Sequence, residues 1–236
     1  MRWGGGIETM AQAKQRAQNK GAGAARLVGT SCTAGHLSIP STEAEQRLFS
    51  DPGAEIPLLA IDRRRIGAVA ACVAALRRDR DVPLVVLSSE TQRSTTTVEA
   101  IAAQLPRATH RIDLRLHNIR HPEWNGLEQQ AVRDSPLYQR WHRAPTTVSF
   151  PGGESLADVA ARIDALLAEL QFDTDHLIVS HSTPLQVLAC RLLNIPLDAI
   201  WSFYFEFYAV TAILGGVLTR LNDASATSCD FSALYE

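Results

Sequence analysis

Residues 151–162 read Pro-Gly-Gly-Glu-Ser-Leu-Ala-Asp-Val-Ala-Ala-Arg. Pro and Gly punctuate a chain, so Pro151-Gly152-Gly153 marks a turn, and Ser155 opens a helix that runs to about Leu170. Downstream, His176–Ser180 (HLIVS) is a continuous apolar run suited to a buried strand, followed by a helix across Leu185–Leu193. Residues 201–221 read as two strands, with Gly215-Gly216 near the turn between them. Upstream, Ala25–Gly29 (ARLVG) is a short strand, and residues 63–78 carry apolar positions at helical spacing. Val82–Ser88 (VPLVVLS) is a buried strand, residues 94–104 a helix, and RIDLRLH at 111–117 a short extended segment.

Strands and helices taking turns predict an α/β fold, with a mostly parallel central sheet flanked by helices on both faces. The 236 residues are enough for one such domain with a full core. Its expected span is residues 25–221. Residues 1–24, rich in Gly, Ala, Gln and Lys, cannot bury enough surface to offset their ordering entropy and read as a tail. Residues 222–236 read the same way.

Composition narrows the function. Apolar residues make up 46% and charged residues 20%, ordinary for a globular protein. A formal net charge of -2 argues against a general nucleic-acid binder, which carries a basic excess. A local basic pocket for an acidic small molecule needs no basic protein. No apolar run reaches the roughly 18 residues of a spanning helix, and no secretory signal is visible, so a cytoplasmic, membrane-independent protein is expected. The four cysteines, Cys32, Cys72, Cys190 and Cys229, lack zinc-ligand or Cys-x-x-Cys spacing, so reduced thiols and no metal site are expected. No spacing implies an organic cofactor either.

Sites in such sheets lie beyond the carboxyl ends of the strands. Three ends therefore matter. His181 stands where a strand gives way to a helix, a junction whose backbone N–H groups attract anions. Arg93 follows the strand ending at Ser88, and a guanidinium there suits bidentate contact with phosphate or carboxylate. The first strand runs into Gly29-Thr30-Ser31-Cys32-Thr33-Ala34-Gly35-His36, small hydroxyl residues and glycines that can wrap an anion with backbone amides. Each residue also has an ordinary reading as a turn, surface or satisfied core residue. The aromatic run Trp201, Phe203, Tyr204, Phe205, Phe207 and Tyr208 reads either as core filling or as a subunit contact, which would make the protein a homodimer.

In their order along the chain these pieces resemble the histidine phosphatase (phosphoglycerate mutase-like) superfamily. Ser88-Ser89-x-x-x-Arg93 is similar to its Ser-Ser-Pro-x-x-Arg segment, and residues 116–126 keep Leu116, Trp124 and Gly126 of Leu-x-Glu-x-x-x-Gly-x-Trp-Glu-Gly. Pro151-Gly152-Gly153-Glu154-Ser155-x-x-Asp158-x-x-x-Arg162 is the closest correspondence, and Val179-Ser180-His181 begins the family's Val-Ser-His-Gly-Gly. The resemblance implies a phosphoryl-transfer site. A His in the first motif, Arg-His-Gly-Glu-Thr, attacks phosphorus, cationic groups hold the oxygens, and a carboxylate passes the proton to the leaving group.

This sequence departs from that pattern where the chemistry is densest. The first motif aligns as Gly29-Thr30-Ser31-Cys32-Thr33, so the resemblance places Gly29 at the family Arg and Thr30 at the nucleophilic His. Asn118 takes the place of the proton-donating Glu, and Ser182 that of the Gly after the second His. Arg93 and His181 persist. Thr30, Ser31 and Thr33 are then expected to supply hydroxyl and backbone contacts, with His36, Asn118 and Ser182 beside them. His117, Arg120 and His121 flank the lost carboxylate and are candidates to rebuild a positive pocket. Three functions compete: a protein binding a phosphorylated or other anionic small molecule with little or no phosphohistidine turnover; a phosphatase using His181, His36 or an activated water as nucleophile; and a scaffold presenting residues 201–208.

Overall fold

The computed structural model describes residues 26–31, 63–78, 81–171, 173–205, 208–214 and 217–223. The expected N-terminal tail, Cys32, Thr33, His36, Phe207, the Gly215-Gly216 pair and residues 224–236 with Cys229 lie outside the described residues, whereas Asn222 and Asp223, expected to open the C-terminal tail, belong to the last strand. Six strands form one sheet: β1 (Arg26–Ser31), β2 (Leu84–Ser88), β3 (Ala108–Ile112), β4 (Asp175–Ser180), β5 (Val210–Leu214) and β6 (Val217–Asp223). Their spatial order is β3-β2-β4-β1-β5-β6. The first four run parallel, while β5 and β6 are antiparallel additions at one edge. Six described α-helices accompany them: α1 (Arg63–Leu76), α2 (Gln92–Ala102), α3 (Gln129–Asp134), α4 (Pro136–Arg143), α5 (Leu156–Glu169) and α6 (Ser182–Leu193).

Alternation of side chains across the pleat divides the core in two. Leu84, Val86, Leu177 and Val179 face Ile66, Val69 and Val73 of α1 and Val98 and Ile101 of α2. Leu87 and Ile178 face the opposite way, against Val159, Ile163 and Leu166 of α5 and Val187 and Leu188 of α6. Both faces are therefore covered, as the continuous apolar runs require. All six residues of β4 are buried, as befits a strand between two parallel neighbours.

Element boundaries moved in ways that bear on the site. Pairing with β4 carries β1 on to Ser31, two residues beyond the expected Gly29, so Thr30 and Ser31 are strand residues opposite Val179 and Ser180. Helix α2 begins at Gln92 rather than Ser94, with three residues between it and β2, and α6 at Ser182 rather than Leu185, with one residue between it and β4. The extended segment lies at 108–112, where parallel pairing with β2 sets it, and residues 114–116 form a 3₁₀ turn instead. Residues 197–202 form a 3₁₀ stretch that takes in Trp201, and residues 203–205 are not in a strand. Phe203 and Phe205 are buried and Tyr204 is exposed, while Trp201 meets Trp141 of α4 edge-to-face at 4.6 Å.

The segment 151–162 explains itself atom by atom. Gly152 has φ +65°, which a side chain disfavours, and a Cβ on Gly153 would lie 2.2 Å from the Arg120 carbonyl oxygen. That close approach lets the Glu154 amide donate to the same carbonyl at 3.0 Å. Ser155 caps α5: its hydroxyl accepts from the Asp158 amide while Asp158 accepts from the Ser155 amide, a reciprocal capping box. Apolar residues at 156, 159, 160, 163 and 166 then form the buried stripe of α5.

Candidate active site

The sheet places the ends of β2, β4 and β1 side by side. At the end of β2, Thr91 is the N-cap of α2, and at the end of β4, His181 is the N-cap of α6. Neither makes a side-chain capping hydrogen bond. Two helices thus begin at the carboxyl ends of neighbouring strands, and both their positive dipole ends lie at that end of the sheet. Arg93 sits in the first turn of α2 and is buried, 7% exposed.

His181 is buried to 1% exposure, and its Nε2 lies 2.8 Å from the hydroxyl of Ser89. Ser89 is itself 0% exposed and reaches the Thr91 hydroxyl at 3.1 Å. Burial, and after it the charges of Arg93, His117 and Arg162, push His181 well below the ordinary imidazole range. At neutral pH the ring is therefore uncharged, and Arg93 is the fixed cation next to it.

The loop 116–120 borders this end of the sheet. The Ser180 hydroxyl donates to the Leu116 carbonyl at 2.6 Å, which ties the loop to the end of β4. His117 Nδ1 lies 2.6 Å from the Asn118 carbonyl oxygen and donates to it, and His117 Nε2 is 3.7 Å from Glu154 Oε1. Asn118 is half-buried, and its Oδ1 is buried with no hydrogen-bond partner among the described residues. Glu154, 5% exposed, holds the loop from behind: it accepts from the Arg120 amide at 3.0 Å and from Arg162 Nε at 3.1 Å. Arg162 also donates to the Arg115 carbonyl.

The expected site residues distribute as follows. Arg93, His181, Gly29, Thr30 and Ser31 come together at the adjoining ends of β2, β4 and β1, the last three known here by backbone register alone. Ser182 is exposed at the first position of α6. Thr33 and His36 lie outside the described residues. His117 approaches the group around His181, and Arg120 is largely exposed. His121 is 4% exposed and packs against Trp124 and Phe150 at 5.2 and 6.0 Å. Two residues that sequence reasoning did not single out as site residues hold the site together, Ser89 and Glu154. Both stand inside segments already quoted for the family resemblance, which was the available signal. Among the described residues no cluster of three His, Cys, Asp or Glu side chains is placed to hold a metal, and no helix is long and apolar enough to cross a membrane.

Comparison with known proteins decides the family. The model of the histidine phosphatase superfamily (branch 1) matches residues 42–216. This chain belongs to the histidine phosphatase superfamily. The match begins downstream of β1, so the first strand end, where the resemblance sets the nucleophile, is not within it. Among relatives, a phosphoserine phosphatase 1 from Hydrogenobacter thermophilus is 32% identical over 124 residues, 50% of this chain and 58% of that protein's own length. A glucosyl-3-phosphoglycerate phosphatase from Mycobacterium tuberculosis is 28% identical over 181 residues, 72% of this chain and 78% of that one. The solved structure of a mycobacterial glucosyl-3-phosphoglycerate phosphatase with VO3 superposes with a TM-score of 0.66 at 22% identity, covering 85% of this chain and 100% of that one. The last comparison supports the fold alone. It agrees with the helix-covered, mostly parallel sheet of this histidine phosphatase superfamily member.

Proposed function

We propose that this member of the histidine phosphatase superfamily binds a phosphorylated or other anionic small molecule, with little or no turnover through phosphohistidine. The observation that carries the reading is the pairing of Thr30, a residue without a nucleophilic imidazole, with two buried basic side chains, Arg93 and His181, at the next two strand ends. Relatives named as phosphatases of phosphoserine and glucosyl-3-phosphoglycerate support a phosphorylated small molecule as the ligand class. The backbone of Gly29, Thr30, Ser31 and Thr33 and the hydroxyls of the last three supply contacts. Arg93 and His181 supply the basic groups, Asn118 takes a polar position without being able to act as a carboxylic acid, and Ser182, with His36 as a further candidate, adds polar contacts.

The test is phosphate release from a panel of phosphomonoesters between about pH 4 and about pH 8, with His181→Ala and Arg93→Ala beside the parent. Release indistinguishable from the blank, together with thermal stabilisation by millimolar phosphate or sugar phosphates, is the expected outcome. Release that vanishes in both variants would instead establish a working phosphatase with a different nucleophile. Unchanged thermal stability on adding those anions would count against an anion site.

A further inference from the structure

A second property follows from the surroundings of His181. The groups facing it from each packed element are the hydroxyl of Ser89, with Thr91 behind it, from the turn after β2; Arg93 of α2; His117 of the loop after β3; and Arg162 of α5. The hydrogen-bond partner is a neutral hydroxyl and the charged neighbours are cationic. Two carboxylates act on Arg162 of this group: Glu154, engaged by Arg162 and the Arg120 amide, and the exposed Glu90 between Ser89 and Thr91. Among the described residues, the influences that act on His181 most strongly, its burial and the charges of Arg93, His117 and Arg162, all disfavour an imidazolium. An anion with two negative charges, arriving where two helix N-termini and Arg93 converge, reverses that balance, because opposite charge stabilises the protonated ring.

We infer that binding of a tetrahedral dianion at this site is coupled to the uptake of one proton by His181. The inference rests on the anion-binding reading above and adds which charge state the site selects. Electrically, the site presents one fixed guanidinium to a monoanion and gains a second cation when a dianion arrives. The proton comes from solvent and enters the ring at a nitrogen, with no bond made or broken elsewhere. The hydrogen bond with Ser89 gives the ring a partner in either state. A hydroxyl can donate to a neutral ring nitrogen and can rotate to accept from an imidazolium N–H.

Linkage makes the consequence measurable. Where the bound state holds one more proton, affinity rises by up to about tenfold for each pH unit of acidification. Inorganic sulfate is the appropriate probe, since it remains a dianion across the range in which histidines titrate. Calorimetry of the full chain with sulfate, between about pH 8 and about pH 6 and in buffers of differing ionisation enthalpy, counts the proton directly. Close to one proton per sulfate and a steep rise in affinity with acid are expected, with both lost in His181→Gln. Sulfate bound without proton uptake, or uptake that persists in His181→Gln, overturns the coupling while leaving the anion site standing. No sulfate binding at any pH removes the anion site and the coupling together. Should His181→Gln fail to fold, imidazole NMR of the wild-type chain follows the same proton. The His181 ring is expected to pass from the neutral to the imidazolium signature on saturation at about pH 7, and an unmoved resonance overturns the coupling.

Discussion

Gly152 and Gly153 stand next to each other yet serve different physical needs, and substitution separates them. Alanine at Gly152 meets only a strained backbone, with the Pro122 ring in ordinary contact at 3.7 Å, so a loss of about 1–2 kcal/mol is expected. Alanine at Gly153 drives a methyl into the Arg120 carbonyl, 2.2 Å away, and backbone must move. A loss of about 3 kcal/mol or more follows, in the range reserved for overpacked cores. Urea midpoints of the two variants check the order. Glu154→Gln is the third member of this series. Removing the carboxylate leaves Arg162, whose side chain is 12% exposed, without its buried counter-charge. A loss of about 3 kcal/mol is expected. Arg162→Met in the same background should recover part of it, because the stranded charge is then gone as well. Equal stability of the single and double variants would show that no such charge penalty exists.

At the scale of elements, helix α5 depends on its first turn. The Ser155–Asp158 box satisfies amides that otherwise face solvent without partners, so Ser155→Ala should cost about 1 kcal/mol, read as a lowered unfolding midpoint with unchanged denaturant dependence. The whole of α5 was legible in the sequence because Pro-Gly-Gly, a capping residue and a helical stripe all point to one start. Strands β2 and β4 were legible for a similar reason: an apolar run bounded by turn residues has few alternatives. Other elements left weaker traces. Helices α3 and α4 are 6 and 8 residues long, shorter than the window of about 11 residues in which helical periodicity declares itself, and neither was anticipated. The aromatic residues 201–205 suggested a strand by composition. Their actual course is fixed by long-range packing on Trp141 and by the Gln186 side chain donating to the Phe203 carbonyl at 2.7 Å. Arg93 and His181 were legible as site candidates because they stand at strand ends. Ser89 stood in a segment quoted for the family resemblance, but its role is defined by the hydrogen bond with His181, which joins residues 92 positions apart.

For the molecule as a whole, buried imidazoles set the response to acid. His181 and His176 both have pKa values lowered from the ordinary 6.5, chiefly by burial. Unfolding restores the ordinary value, so below about pH 6.5 the unfolded chain binds protons that the native chain refuses. Native stability is therefore full above about pH 6.5 and falls as pH drops through that value. The slope is up to about 1.4 kcal/mol per pH unit for each such ring. Thermal unfolding followed from about pH 7.5 down to about pH 5 should show this decline, and His181→Gln should flatten it. A parent chain whose midpoint is level across that interval would mean that these rings already carry their protons in the native state.

The position of β1 has a consequence for how the chain is made. This strand is near the start of the sequence, yet it lies between β4 and β5, with Arg26 opposite Leu214 and Thr30 opposite Val179. During synthesis it must wait for most of the domain to leave the ribosome, roughly ten seconds or more at ordinary elongation rates. Until then two strand edges in the middle of the future sheet stand open to any passing β-segment. A nascent chain arrested before residue 210 is therefore expected to be the most chaperone-dependent and aggregation-prone species in the life of this protein.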